Sequence, residues 1–212
     1  MKITIVCSSA DHPVNAWLVR WMEQHQHDHQ ISLLRNVEDL VGGDILFLIS
    51  CTQLVRRSDR EKFAKTLVIH ASDLPTGRGW SPHIWAIVEG SEHLTVTLLE
   101  AEDKVDAGAI WGKVTIDIPR HFLSDEINAA LFDAELRLMN LAVGLYGNNP
   151  GTPQSSDIEP TYLRKRTPED SRLDIDKTIT EQFDLMRACD PQRFPAFFDI
   201  HGHRYKITLE KI

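Results

Sequence analysis

An α/β fold with a mostly parallel sheet is predicted by three observations. Short apolar runs at 2–7, 30–36, 44–50 and 66–70 are bounded by polar or turn residues, as buried parallel strands are. Stretches of helical character lie between several of these runs, the strand–helix alternation of a parallel sheet. Two further runs, 94–100 and 109–118, alternate in polarity as half-buried strands do. The chain has 212 residues and is 42% hydrophobic, enough for one full core or a core with a small appendage.

The elements follow in order. "KITIVC" (2–7) is the first strand. In "VNAWLVRWMEQ", Trp17, Leu18, Trp21 and Met22 recur at helical spacing and predict a helix. "QISLLRN" (30–36) and "DILFLIS" (44–50) are strands, and "RRSDREKFAK" (56–65) reads as a short polar helix. The strand "TLVIH" ends on His70 and runs into a Pro/Gly-rich loop. A helix over 81–90 is predicted, with Ser81 as N-cap, Pro82 in the first helical position and Gly90 as terminator. After 94–100, the loop "AEDKVDAG" carries Asp106 and leads into 109–118.

The spacing of Ile127, Leu131, Ala134, Leu138, Ala142 and Leu145 predicts a long helix over 124–146, with Asp125 and Glu126 at its positive end. "GNNPGTPQSSDIEP" (147–160) is rich in turn formers and reads as a linker. This divides the chain into 1–148 and an extension, 149–212. In the extension, Thr178 and Glu181 form a candidate capping box for a helix carrying Ile179, Phe183 and Met186. Two alternating runs around His201-Gly202 predict a β-hairpin.

Several function classes are disfavoured. No run approaches 18 apolar residues, so no membrane span is expected, and the start lacks the pattern of a secretion signal. A net charge of −8 opposes wrapping nucleic acid. Cys7, Cys51 and Cys189 are widely spaced and read as reduced thiols of a cytoplasmic protein. His25, His27 and His29 alternate, but a helix-to-strand junction is a solvated place, and no metal site is expected.

His70 stands at the carboxyl end of a strand, where open α/β sheets hold ligands. Alone, it reads equally as a strand-end histidine satisfied by backbone. Asp106 alone reads as turn chemistry. Their joint pattern says more. "IHASDLPTGRGWSPHIW…VTLLEAEDKVDAGAI" resembles the folate-dependent N-formyltransferase family, in which an Asp-x-Gly follows the motif histidine by 36 residues, as Asp106-Ala107-Gly108 does here. Pro75, Arg78, Gly79 and Pro82 fall at matching places. The tail from 161 resembles the segment after the catalytic domain in sugar-nucleotide formyltransferases. The resemblance covers about residues 44–212.

The resemblance implies a Rossmann-like formyltransferase fold with a short C-terminal helix and β-hairpin extension. It implies that residues 1–148 form the catalytic domain and that N10-formyltetrahydrofolate is the formyl donor. His70 and Asp106 would be the catalytic pair. The pterin would lie between Ser50, Cys51, Thr52 and Leu54 on one side and Glu100, Glu102, Val105 and Asp106 on the other. The acceptor implied is a nucleotide-linked 4-amino-4,6-dideoxy sugar, nearest to the pseudaminic-acid pathway type. No nucleic acid or membrane partner is implied, and a homodimer formed through the C-terminal hairpin and helix is.

The expected acceptor contacts are His12, Asn15, Ser72, Asp73, Arg78, Gly79, Trp80, Arg164 and Arg166. Trp111 is the aromatic expected to line the pocket. Asp73 faces either the amine or its own turn. Glycinamide ribonucleotide-type and peptide-synthetase-type acceptors, or a non-catalytic binding relative, remain as alternatives. The loop "SSADHPVN" lacks the Gly-rich phosphate loop of the first type, and the length is short of a methionyl-tRNA formyltransferase with its tRNA-binding domain.

One departure stands out. The family asparagine falls at Val68, which has no donor. Losing an oxyanion donor costs about 2.7–4 kcal/mol of barrier unless another group replaces it. Protonated His70, a backbone N–H, or the hydroxyl of Ser50, Thr52 or Ser72 are the candidates.

Overall fold

The computed structural model describes residues 1–148 and 151–212. Its centre is a six-stranded sheet built from β1 (Lys2–Val6), β2 (Gln30–Leu34), β3 (Gly43–Leu48), β4 (Phe63–His70), β6 (His93–Glu100) and β7 (Ile110–Asp117), in the order β2-β1-β3-β4-β6-β7. The pairings from β2 through β4 are parallel, and β4–β6 and β6–β7 are antiparallel. This is the predicted α/β architecture.

Side-chain alternation sorts the strands onto two cores. Ile3, Ile5, Ile45, Phe47 and Leu67 enter the larger one, together with Leu18 and Trp21 of α1 (Asn15–His25), Ile87 of α3 (Pro82–Val88), and Leu131 and Leu138 of α4 (Ser124–Leu145). Val6, Leu46, Leu48 and Phe63 form the smaller core on the opposite face, with Val68 packed against it. Trp21 Nε1–H donates to Asn140 Oδ1 at 2.7 Å, joining α1 to α4.

The structure corrects several expected boundaries. The polar helix is only α2 (Arg57–Arg60), and β4 begins at Phe63. Phe63 is 7% exposed, so burying it requires extended chain where the sequence suggested helix. Ser81 does not cap α3 with its side chain. It adopts a left-handed conformation (φ 48°), and its carbonyl accepts the Ile84 N–H at 3.0 Å. At α4, Glu126 reaches back to the Leu123 N–H at 2.8 Å, the satisfaction its place in the first turn predicts.

The expected linker over 147–160 includes residues 149 and 150, which lie outside the described residues. Beyond them the chain is tied down. Thr152 exchanges backbone hydrogen bonds with Ile110 at 2.7 and 2.8 Å. Then β8 (Tyr162–Leu163) pairs in parallel with β5 (Arg78–Gly79). In α5 (Ile179–Ala188) the predicted capping box is present, with Thr178 N–H to Glu181 Oε2 at 2.8 Å and Glu181 N–H to Thr178 Oγ at 3.3 Å. Met186 is buried there, but Ile179 is 73% exposed and does not belong to the packed face. The hairpin β9 (Ala196–Ile200) and β10 (His203–Ile207) turns at His201 and Gly202, both at positive φ. Among the described residues, no helix is long and apolar enough to cross a membrane.

Candidate active site

His70 is the last residue of β4 and shares a face with Val68. Its Nε2–H donates to the Gly77 carbonyl at 2.8 Å, because a carbonyl can only accept. Its Nδ1 therefore faces Asp106, whose Oδ2 lies 3.7 Å away, with both side chains buried. The same Oδ2 accepts the Gly79 N–H at 2.9 Å. One loop thus holds both members of the pair: Gly77 fixes the ring and Gly79 fixes the carboxylate.

Asp106 adopts φ 54°, a left-handed conformation that aspartate tolerates better than most residues. Two positions on, Gly108 closes the neck of the loop. A Cβ there would lie 2.0 Å from the Glu100 carbonyl oxygen, so only glycine fits. The Asp-Ala-Gly spacing is therefore one conformational unit. The Asp puts its carboxylate toward His70, and the Gly lets the chain return to β7.

A second arrangement lies beside the first. Leu48 pairs with Val68, so continuing the parallel register brings Ser50 alongside His70. Ser50 is also left-handed, at φ 48°. Its Oγ is 3.2 Å from Nε2 of His12, while Nδ1 of His12 accepts the Val14 N–H at 3.3 Å. His12 therefore carries its proton on Nε2 and donates it to Ser50, leaving the Ser50 hydroxyl proton for another acceptor. Burial above all, and then Arg193, pushes His12 down to about 4, so it is neutral near pH 7. His83, in the first turn of α3, is also pushed down to about 4, by burial and then by His12 and His70. Sequence reading passed over His83. Its one signal was a polar residue directly after Pro82 at the start of an apolar helix.

The expected folate stretches come together. Arg60 donates to the Val55 carbonyl at 2.9 Å and also pairs with Asp103, joining the 50–55 stretch to the 100–108 loop. Cys51, Val55 and Ala101 pack with Val68 against the smaller core. A surface cavity of about 260 Å³ lies beside α2 and the first half of β4, lined by Arg60, Phe63, Thr66, Glu100 and Ala101 among others, and of the expected folate contacts it takes in Glu100 alone. Leu54 and Val105, one from each stretch, stand 77% and 62% exposed. The Thr52 N–H is taken by Ser8 Oγ, and Glu102 is exposed. Glu100 departs from expectation. Its carboxylate binds Lys65 at 2.7 Å and the Trp111 indole at 2.9 Å, so it serves the scaffold. Trp111 is 6% exposed and is a core residue rather than a pocket wall.

The expected acceptor contacts divide. Asn15 holds its own loop, donating to the carbonyls of Ser9, Ala10 and His12 and accepting from Arg35, which leaves it no free group. Arg78 is 5% exposed, with its guanidinium on Gln154 and Tyr162, so it is not offered to a ligand. Arg164 pairs with Asp170 and lies over Trp85, and Arg166 covers the same ring. These cations seat the 164–170 segment of the extension on α3. Asp73 meets Lys113 at 2.5 Å rather than capping its turn. Ser72 Oγ is buried with no partner, and Trp80 is 41% exposed with Lys165 over its ring. Gly79 serves through its backbone. Among the described residues, no three His, Cys, Asp or Glu gather as metal ligands.

Comparisons with known proteins agree on the kind of fold. The sequence profile of a family described as Formyl transferase matches residues 7–143. A methionyl-tRNA formyltransferase of Natranaerobius thermophilus is 33% identical over 151 residues, 70% of this chain and 48% of that protein. The chain spans about half the length of the curated relatives it matches. HypX of Aquifex aeolicus, in complex with tetrahydrofolic acid, superposes with a TM-score of 0.82 at 23% identity, over 96% of this chain and 36% of HypX. A sugar N-formyltransferase of a Shewanella species gives 0.75 at 16% identity, over 100% of this chain and 99% of that one.

Proposed function

Because the chain belongs to the formyl transferase family, we propose that it moves a formyl group from N10-formyltetrahydrofolate to the 4-amino group of a nucleotide-linked amino-dideoxy sugar. The observation that carries this reading is the buried His70–Asp106 pair at the carboxyl end of β4, held from both sides by the 77–79 loop.

The donor supplies the formyl group. The stretches joined by Arg60 fit it, since each leaves a large apolar side chain, Leu54 and Val105, exposed for a flat ring. That the related fold of HypX was determined with tetrahydrofolic acid supports the same choice.

The protein's own part is proton handling and orientation. The acceptor amine must be neutral to attack. With Nε2 capped by Gly77, Nδ1 of His70 is the atom that takes the proton the amine loses, and it returns that proton to N10 as the folate departs. Asp106 faces Nδ1 and sets its negative charge beside the ring while the ring holds the proton. Ser50, polarised by neutral His12, takes the place of the amide expected at 68 and donates to the carbonyl oxygen as it gains charge.

A sugar acceptor is supported by the net charge of −8, which opposes a polyanionic tRNA, and by sugar N-formyltransferases being among the structures that share the fold. Ser72 and Trp80 remain as acceptor contacts in this reading, whereas His12, with both ring nitrogens engaged, acts through Ser50. Pairing of two chains through the extension belongs to it as well and is checked by sedimentation. The names of the sequence relatives favour a second reading, with methionyl-tRNA as acceptor. The test is direct: purified protein with formyl donor and either UDP- and dTDP-linked 4-amino-4,6-dideoxy sugars or charged initiator tRNA, following tetrahydrofolate release. Formamide on a sugar supports the proposal. Formylation of the tRNA alone overturns it in favour of the second reading.

A further inference from the structure

Gln154 lies outside the stretch matched by the family profile and touches both loops of the catalytic pair. Its Oε1 accepts from Arg78 NH2 at 2.6 Å. Its Nε2 donates to the Asp106 carbonyl at 2.8 Å and to the Gly108 carbonyl at 3.0 Å. Arg78 sits between Gly77, which holds His70, and Gly79, which holds Asp106. The 161–163 segment braces the same loop from behind. Thr161 Oγ accepts the Gly77 N–H at 2.8 Å, the Thr161 carbonyl accepts the Arg78 N–H at 3.0 Å, and Tyr162 OH meets Arg78 NH1 at 3.1 Å.

We infer that Gln154 is a positioning residue that sets the separation of His70 and Asp106 by cross-tying the 77–79 loop to the 106–108 loop. The chemistry of the place selects a primary amide. It must accept from a cation on one side and offer two N–H groups to two carbonyls on the other. Glutamate keeps the Arg78 partner but faces both carbonyls with negative charge and no donor. Asparagine is one methylene short of spanning the gap. A side chain from the extension thereby becomes part of the working site without touching the substrate.

The inference rests on His70 and Asp106 being the reacting pair, and the test separates the two. Gln154→Ala and Gln154→Glu are compared with wild type in three measurements on the full chain. These are thermal unfolding, steady-state kinetics with formyl donor and amino-sugar acceptor, and nitrogen NMR of labelled histidine followed with pH. Both variants are expected to lose at least tenfold in kcat, with KM for the donor within about twofold. The His70 ring nitrogen signals should be displaced in both. Gln154→Glu should show these effects even where it melts within a few degrees of wild type. Unchanged kcat and unchanged His70 signals in both variants would overturn the inference, whatever the melting temperature. If wild type turns over no amine at all, the functional proposal falls. The ring signals then decide the tie alone: displaced in the variants it stands, unchanged it falls.

Discussion

Nδ1 of His70 stands 3.7 Å from Oδ2 of Asp106, with 9% and 8% of the two side chains exposed. The separation exceeds a hydrogen bond, while Oδ2 already holds the Gly79 N–H. The carboxylate is therefore placed by the backbone and acts on the ring through its charge. Asp106→Asn keeps an oxygen for Gly79 and removes only that charge. Its kcat should fall by about 10²–10⁴-fold with little change in melting temperature, and His70→Asn should do the same. Steady-state assays of tetrahydrofolate release, with circular dichroism as the fold control, check this. Full activity in Asp106→Asn would remove the carboxylate from the mechanism.

The Ser50–His12 pair makes a separate prediction. If the Ser50 hydroxyl serves the developing oxyanion, Ser50→Ala should lower kcat by about 10²–10³-fold, the usual cost of one such donor. Val68→Asn puts an amide on the face of β4 that carries His70, and in the Ser50→Ala background it should recover part of the rate. A double variant no faster than the single one, with Ser50→Ala near wild type, would point the role elsewhere.

Most of the fold was legible because each signal was local. The strand runs needed only alternation or burial, and the Thr178–Glu181 box is fixed within four residues. The pair His70–Asp106 was legible through its joint motif. What stayed hidden depends on contacts across the chain. Arg78 looked like a ligand contact because an arginine beside a site usually is one. Only the folded extension shows Gln154 and Tyr162 taking up its guanidinium. Asn15 was hidden in the same way by the carbonyls of its own loop. His83 comes near enough to His12 and His70 to feel their charge only because α3 folds back over the sheet, which no spacing reveals.

Gly79 carries a backbone constraint that can be measured. Its φ is 102°, and an added Cβ would lie 2.4 Å from the Leu163 carbonyl oxygen. Gly79→Ala must open the β5–β8 pairing or shift the backbone. It should cost about 2 kcal/mol or more in denaturant unfolding, beyond the usual 1 kcal/mol of a lost glycine conformation. Activity should fall with it, because the Gly79 N–H holds Asp106. Wild-type stability in this variant would show that the clasp is loose.

His12 and His83 give the protein an acid limb. Both are held near 4 in the fold, mainly by burial, against an ordinary value of 6.5. Between those values the unfolded chain binds the extra proton and the folded one does not, so stability falls as pH drops from 6.5 toward 4. Each group contributes on the order of 2 kcal/mol to that loss. His83→Gln should flatten the limb by about that amount in urea titrations at pH 5 against pH 7. An equal slope in the variant would exclude His83 as a source.

Glu135 gives the opposite limb. It sits on the inner face of α4, 7% exposed, and its Oε2 is buried with no hydrogen-bond partner. Burial pushes its carboxyl up to about 8, so it is largely protonated near pH 7. The unfolded chain releases this proton near 4.5 and the folded chain does not. The contribution is therefore complete below pH 4.5 and is lost as pH rises through 8. Glu135→Gln has the same shape and no charge to bury, so its advantage should grow with pH. The expected gain is close to zero at pH 4.5 and on the order of 2–4 kcal/mol above pH 8. Guanidinium unfolding of both proteins at pH 5, 7 and 8.5 reads this directly. A difference that does not change with pH would mean that Glu135 is charged in the fold and paired by a group that moves to meet it. With the histidines acting below 6.5 and Glu135 acting above 4.5, wild-type stability should peak where the two limbs cross, in weakly acidic solution.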